Sequence, residues 1–151
     1  MLAEYVDADK ASACGARPGL YVVVLRGKAL GSHVPAMARV WSSDVLGPRF
    51  SYVLVIEPRQ ARDIPDEGFR AGVAALMKQP SGELVVSAAV VPAGLVGATV
   101  RGVLTGLSWL SGDKQQIFSS LQEASAAIAV AHGVSTASVV ADIMSLRSEL
   151  D

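Results

Sequence analysis

A nucleophile with a base is the first chemistry to look for, and Cys14, His33 and His132 have the right types for it. A thiolate needs a base within hydrogen-bond reach and an electropositive setting. Cys14 instead lies in a run of small residues, Ala11-Ser-Ala-Cys-Gly-Ala16, and reads as a plain free thiol. Ser111-Gly-Asp-Lys114 matches Ser-x-x-Lys, where a Lys one helical turn after the Ser takes its proton. Gly112 argues for a turn there, and the other elements of that enzyme class are missing, so the segment reads as a polar loop. His-Glu-x-x-His, Gly-x-Gly-x-x-Gly, the phosphate loop and the Gly-x-Ser-x-Gly elbow do not occur. Two His with no Cys pair, and no second ligand at i+3 or i+4, are too few for zinc, so no metal or cofactor is expected. An enzyme is therefore the weakest functional class.

The carboxylates Asp63, Asp66 and Glu67 share a helix start, where general acid–base or metal chemistry competes with simple complementation of the helix dipole. Dipole complementation needs only position and is the reading taken. Arg59, Arg62 and Asp63 are the loop charges least explained by helix solvation, which makes them the candidates for partner recognition. His132, just before Gly133, fits a helix C-terminus. Trp41 and Trp109 lie on helical patterns and read as core or interface, and Gly102-Val-Leu-Thr-Gly106 as a close-packing site.

The elements that must position these residues follow from composition and period. In 151 residues, 51% are hydrophobic and 18% charged, which excludes a disordered chain. The balance of 13 Lys+Arg against 14 Asp+Glu gives no field for nucleic acid, which is not expected as a partner. Residues 20–25, 50–56 and 84–91 are apolar, β-branched runs that read as buried strands, the second in the middle of a sheet, and 116–118 as a short edge strand. Helices are read over 32–46, with Val34, Met37, Trp41 and Val45 inward, and from Pro65, with Phe69, Val73, Leu76 and Met77 inward. A third is read over 95–110, and a fourth from the capping box Ser120-x-x-Glu123 to Gly133. A last helix from Ser135 carries a stripe of Val139, Ile143, Leu146 and Leu150. Residues 84–100 are uncharged but broken by Pro92-Ala-Gly94, so they read as strand, turn and helix, with no membrane span. Glu4 and Asp7 interrupt any signal-peptide pattern, and a cytoplasmic location is expected.

Residues 20–130 resemble the STAS-like (SpoIIAA-like) domains of bacterial regulators, most closely in Arg101-Gly-Val-Leu-Thr-Gly-Leu-Ser-Trp-Leu110 leading into Ile117-Phe-Ser-Ser-Leu-Gln-Glu-Ala124. The resemblance implies a small mixed sheet with helices between strands, and a role like that of anti-sigma factor antagonists. In that subfamily a Ser within Asp-x-Ser-Gly is phosphorylated where the second strand meets its helix. Here Glu57-Pro-Arg-Gln-Ala-Arg-Asp-Ile-Pro65 has no Ser or Thr, so the resemblance does not extend to that switch.

The expectation is an α/β domain with about 4–5 strands. It comprises an N-terminal segment (1–19) with edge-strand character, a STAS-like domain (20–132) and a C-terminal helical extension (133–151). Its expected function is non-catalytic regulation through a protein partner, with the surface around 57–67 as the site. The stripe of Val139, Ile143, Leu146 and Leu150 is expected to meet a second copy or a partner. The alternative is carriage of a small apolar or lipid-like ligand between helices and sheet.

Overall fold

Strands that are apolar on both faces need cover on both, and this chain provides it with helices on each side of one sheet. The computed structural model describes residues 3–27, 30–42, 44–57, 66–78, 82–91, 94 and 116–151. Six strands lie across the sheet in sequence order: β1 (Ala3–Val6), β2 (Ser12–Arg17), β3 (Leu20–Leu25), β4 (Arg49–Ile56), β5 (Glu83–Val90) and β6 (Gln116–Phe118). β1, β2 and β3 are antiparallel neighbours; β3 to β6 run parallel. Helix α1 (Val34–Trp41) joins β3 to β4 and α2 (Glu67–Met77) joins β4 to β5, while α3 (Leu121–His132) and α4 (Thr136–Ser148) follow β6.

The architecture is the expected mixed α/β sheet with interleaved helices, and β4 lies inside it with β6 at an edge. The strand count exceeds the expected one because residues 1–19 contribute two strands. β2 turns into β3 through Pro18-Gly19, and Gly19 takes φ +84°, which only glycine adopts without steric cost.

Alternation along the strands sorts their side chains into two cores. Tyr21, Val23 and Leu25 of β3 and Phe50, Tyr52, Leu54 and Ile56 of β4 pack with Met37, Trp41, Phe69 and Val73 from α1 and α2. Leu20, Val22 and Val24, with Val53 and Val55, pack with Ala124, Ile128 and Ile143 from α3 and α4 on the other face.

Three expectations change. The helix read over 32–46 ends at Trp41, and a separate helical turn at Asp44–Leu46 breaks the 3.6-residue period. Leu46 therefore enters the core and Val45 is exposed. The last helix is not an appendage: α4 packs against α3, β2 and β3. Val139, Ile143 and Leu146 are fully buried and Leu150 is 5% exposed, so the stripe is covered by the chain's own sheet and is not an interface.

The first part of 84–100 is β5, and no helix among the described residues is long and apolar enough to cross a membrane. The helix read over 95–110, Trp109, Gly102–Gly106 and Ser111–Lys114 lie outside the described residues.

Candidate recognition surface

Charged residues placed directly after buried strands gather at the C-terminal edge of the parallel sheet. Arg26 follows β3 and Glu57 follows β4, and the Glu57 N–H donates to Leu25 O at 2.8 Å, extending the ladder by one residue. From α4, Arg147 grips the Glu57 carboxylate with two bonds, Nε to Oε1 at 2.6 Å and Nη2 to Oε2 at 3.2 Å. Arg26 Nε lies 3.6 Å from Oε2 and its Nη1 donates to Asp151 Oδ1 at 2.8 Å. Hydrogen bonding to Glu57 holds the Arg147 guanidinium above its usual range. The Arg26 and Glu57 side chains are 11% and 24% exposed and Arg147 is 40% exposed, so it is chiefly the bidentate geometry of the Arg147 grip that sets it apart from an ordinary surface pair. Lys10 Nζ adds bonds to Glu149 O (3.3 Å) and Asp151 O (3.4 Å), and a shallow cavity of about 210 Å3 opens between Arg26, Met144 and Arg147.

Glu57 is also the last described residue before 58–65, and Asp66 is the first after it. Asp66 is the N-cap of α2, its Oδ1 accepting from Phe69 N at 2.7 Å, which is a capping role rather than acid–base chemistry. Glu67 occupies the first turn, where a carboxylate suits the helix dipole. Arg59, Arg62 and Asp63 lie outside the described residues; the residues bracketing them are anchored on both sides.

The nucleophile pairing weighed for Cys14 does not form. Cys14 is fully buried in the core that α1 covers, and burial pushes its thiol up to about 12, far from the thiolate a nucleophile requires. His33 accepts from Leu30 N at Nδ1 (3.3 Å) and places Nε2 3.5 Å from Asp7 Oδ1. Among the described residues no three His, Cys, Asp or Glu side chains converge as metal ligands would.

The opposite, N-terminal edge holds a cluster that motif reading missed. Gly133 ends α3 in a left-handed conformation (φ +64°), which leaves His132 at the helix terminus. Its Nε2 lies 2.6 Å from Ser51 Oγ. Burial, then the nearby Arg49 and Arg17 cations, lower the His132 pKa, so the neutral ring is favoured. Arg17 Nε pairs with Asp142 of α4, and Arg49 Nε lies 3.8 Å from Glu83 Oε2. Ser51 is 0% exposed and presents no surface to a substrate, so the pair fastens α3 to the start of β4. The partners are separated by 81 residues for Ser51–His132 and 125 for Arg17–Asp142, beyond any local motif. The clasp on Glu57 did leave a trace, since a charge immediately after each of two buried strands marks a strand end that must be solvated or paired.

No family model matches the chain, and no curated protein or solved structure matches it.

Proposed function

We propose that the chain is a non-catalytic regulatory module of the STAS-like kind its sequence resembles, and that it presents residues 57–67 to a partner protein. The small mixed sheet with helices between strands supports this, because that is the architecture the resemblance implies. The observation that carries the reading is the anchoring of both ends of 58–65. Glu57 is clasped by Arg26 and Arg147, and Asp66 is locked into the α2 cap. Segments mounted this way on the C-terminal edge of a parallel sheet are where α/β domains place recognition. Arg59 and Arg62 make an acidic partner surface the complementary one.

The carrier alternative has no specific observation in its favour: among the described residues the cavities at the two ends of the sheet are about 190 and 210 Å3, below the roughly 300–1,000 Å3 typical of ligand pockets. The second-copy reading has lost its basis, because the stripe it rested on is internal.

The test is the double charge reversal Arg59→Glu/Arg62→Glu. With a captured partner titrated by calorimetry, affinity is expected to fall by about tenfold or more. Stability is expected to change by less than about 1 kcal/mol, as for a charge pair that serves recognition rather than folding. Equal affinities for wild type and variant remove this segment from the interface, and a large loss of melting temperature makes the Arg pair structural.

A further inference from the structure

A capping box closes the start of a helix with a side chain three residues in, which accepts the N–H of the cap residue, and the side chain is ordinarily Glu or Gln. In the helical turn Gly31–His33, which runs directly into α1, that side chain is a histidine. Leu30 is the extended cap residue, and its N–H donates to His33 Nδ1 at 3.3 Å. His33 is buried, and its Nε2 lies 3.5 Å from Asp7 Oδ1. A ring nitrogen that accepts a hydrogen bond carries no proton, so the turn is capped only by the neutral imidazole.

The turn sits between two fixed points. On one side is Asp7, whose Oδ2 accepts from Asp9 N at 3.1 Å and Ala11 N at 3.4 Å, and whose Oδ1 accepts from the Tyr5 hydroxyl at 3.5 Å. On the other is the first turn of α2. A methyl placed on Gly31 would lie 3.1 Å from Gly68 C and 3.2 Å from its Cα, so the two backbones touch. Gly68 lies between Asp66 and Phe69, the two ends of the α2 cap bond. The titratable and charged groups on the elements around this turn are Asp7 and Tyr5, then Asp66, Glu67 and Arg70 of α2, and Arg39 of α1. Among the described residues Asp7 alone brings a carboxylate within 4.0 Å of the ring nitrogens.

We propose that His33 is a proton-operated latch on the seat of α2. Neutral, the ring holds Leu30 and keeps Gly31 against Gly68. Protonated, it presents Nδ1–H to Leu30 N–H, two donors with no acceptor between them, and the cap bond is lost. Asp7 supplies the opposite charge that a buried imidazolium needs, so the charged ring has a place to stay while Leu30 and Gly31 move. Resting on the partner reading above, the latch makes the base of the C-terminal-edge surface responsive to acidification, because Asp66 and its cap mount the end of 58–65.

The full chain without a partner tests the latch, through amide hydrogen exchange and histidine ring NMR over about pH 5–8, the range in which histidine changes charge. The partner reading is decided separately, by the Arg59/Arg62 reversal. The protection factors of Leu30 N–H and Phe69 N–H are expected to fall together on acidification, in step with the His33 ring protons. A fall of several-fold to about tenfold is what one hydrogen bond is worth. His132→Gln removes the other histidine and is expected to leave the fall in place. His33→Gln keeps an acceptor where capping boxes ordinarily use Gln but carries no titrating ring, so both amides are expected to stay protected throughout. No fall on acidification, a fall out of step with the His33 ring, a fall confined to Leu30 that leaves Phe69 protected, or the same fall in His33→Gln would each overturn the proposal.

Discussion

Protonation of His132 is opposed by its partial burial and by two neighbouring arginines, and this fixes the sign of a pH effect. The unfolded ring titrates near 6.5, above its folded value, so between the two the unfolded chain binds more protons and stability rises with pH. The contribution is complete above about 6.5 and is lost as pH falls through the lowered folded value. Melting curves of wild type and His132→Gln across that window should show a steeper pH slope in wild type; parallel slopes would contradict the assignment. Tyr52 gives a second test. Its hydroxyl is buried without a hydrogen-bond partner among the described residues, and burial pushes its pKa up. Tyr52→Phe removes an unsatisfied polar atom and should leave stability unchanged or raise it by up to about 1 kcal/mol in denaturant unfolding. A loss above about 1 kcal/mol would mean that the hydroxyl has a partner. At this scale the sequence was legible only where chemistry is local. Asp66 and Ser120 act as caps, as their positions imply. Ser51–His132 and the grip of Arg147 on Glu57 exist only because the fold closes long loops, and no spacing rule reaches them.

The elements were legible wherever one period ran undisturbed. β3 was read to the residue, and β4, β5 and β6 within about one residue, because continuous β-branched runs bounded by turn residues have few alternatives. The helix beginning at Val34 was read too long because Val45 lies at the right spacing, while spacing alone does not reveal that the helix ends at Trp41. The last helix shows a different limit: its apolar stripe was visible, but period says that a face needs cover and not what covers it. Since that cover is the sheet, Ile143→Ala should cost about 2–5 kcal/mol through the cavity it leaves. Ultracentrifugation should show the same mass for the folded variant and wild type. Truncation after Gly133 exposes Leu20, Val22 and Val24 and should abolish cooperative unfolding. A truncated chain that melts cooperatively with a changed oligomeric state would restore the stripe as an interface.

At the scale of the molecule, the two edges of the sheet carry different chemistry. The C-terminal edge joins the strand ends to α4 through Glu57 and its two arginines, and the N-terminal edge fastens α3 and α4 through His132 and Arg17. The central claim is that partner recognition belongs to the C-terminal edge. A photo-crosslinking residue incorporated at position 62, and separately at the exposed position 138 near the start of α4, tests it in the native cell. Position 62 is expected to give a discrete cross-linked species that is lost when Arg59 is also reversed to Glu, and position 138 to give none. Cross-linking from 138 and not from 62, or equally from both, would contradict the account.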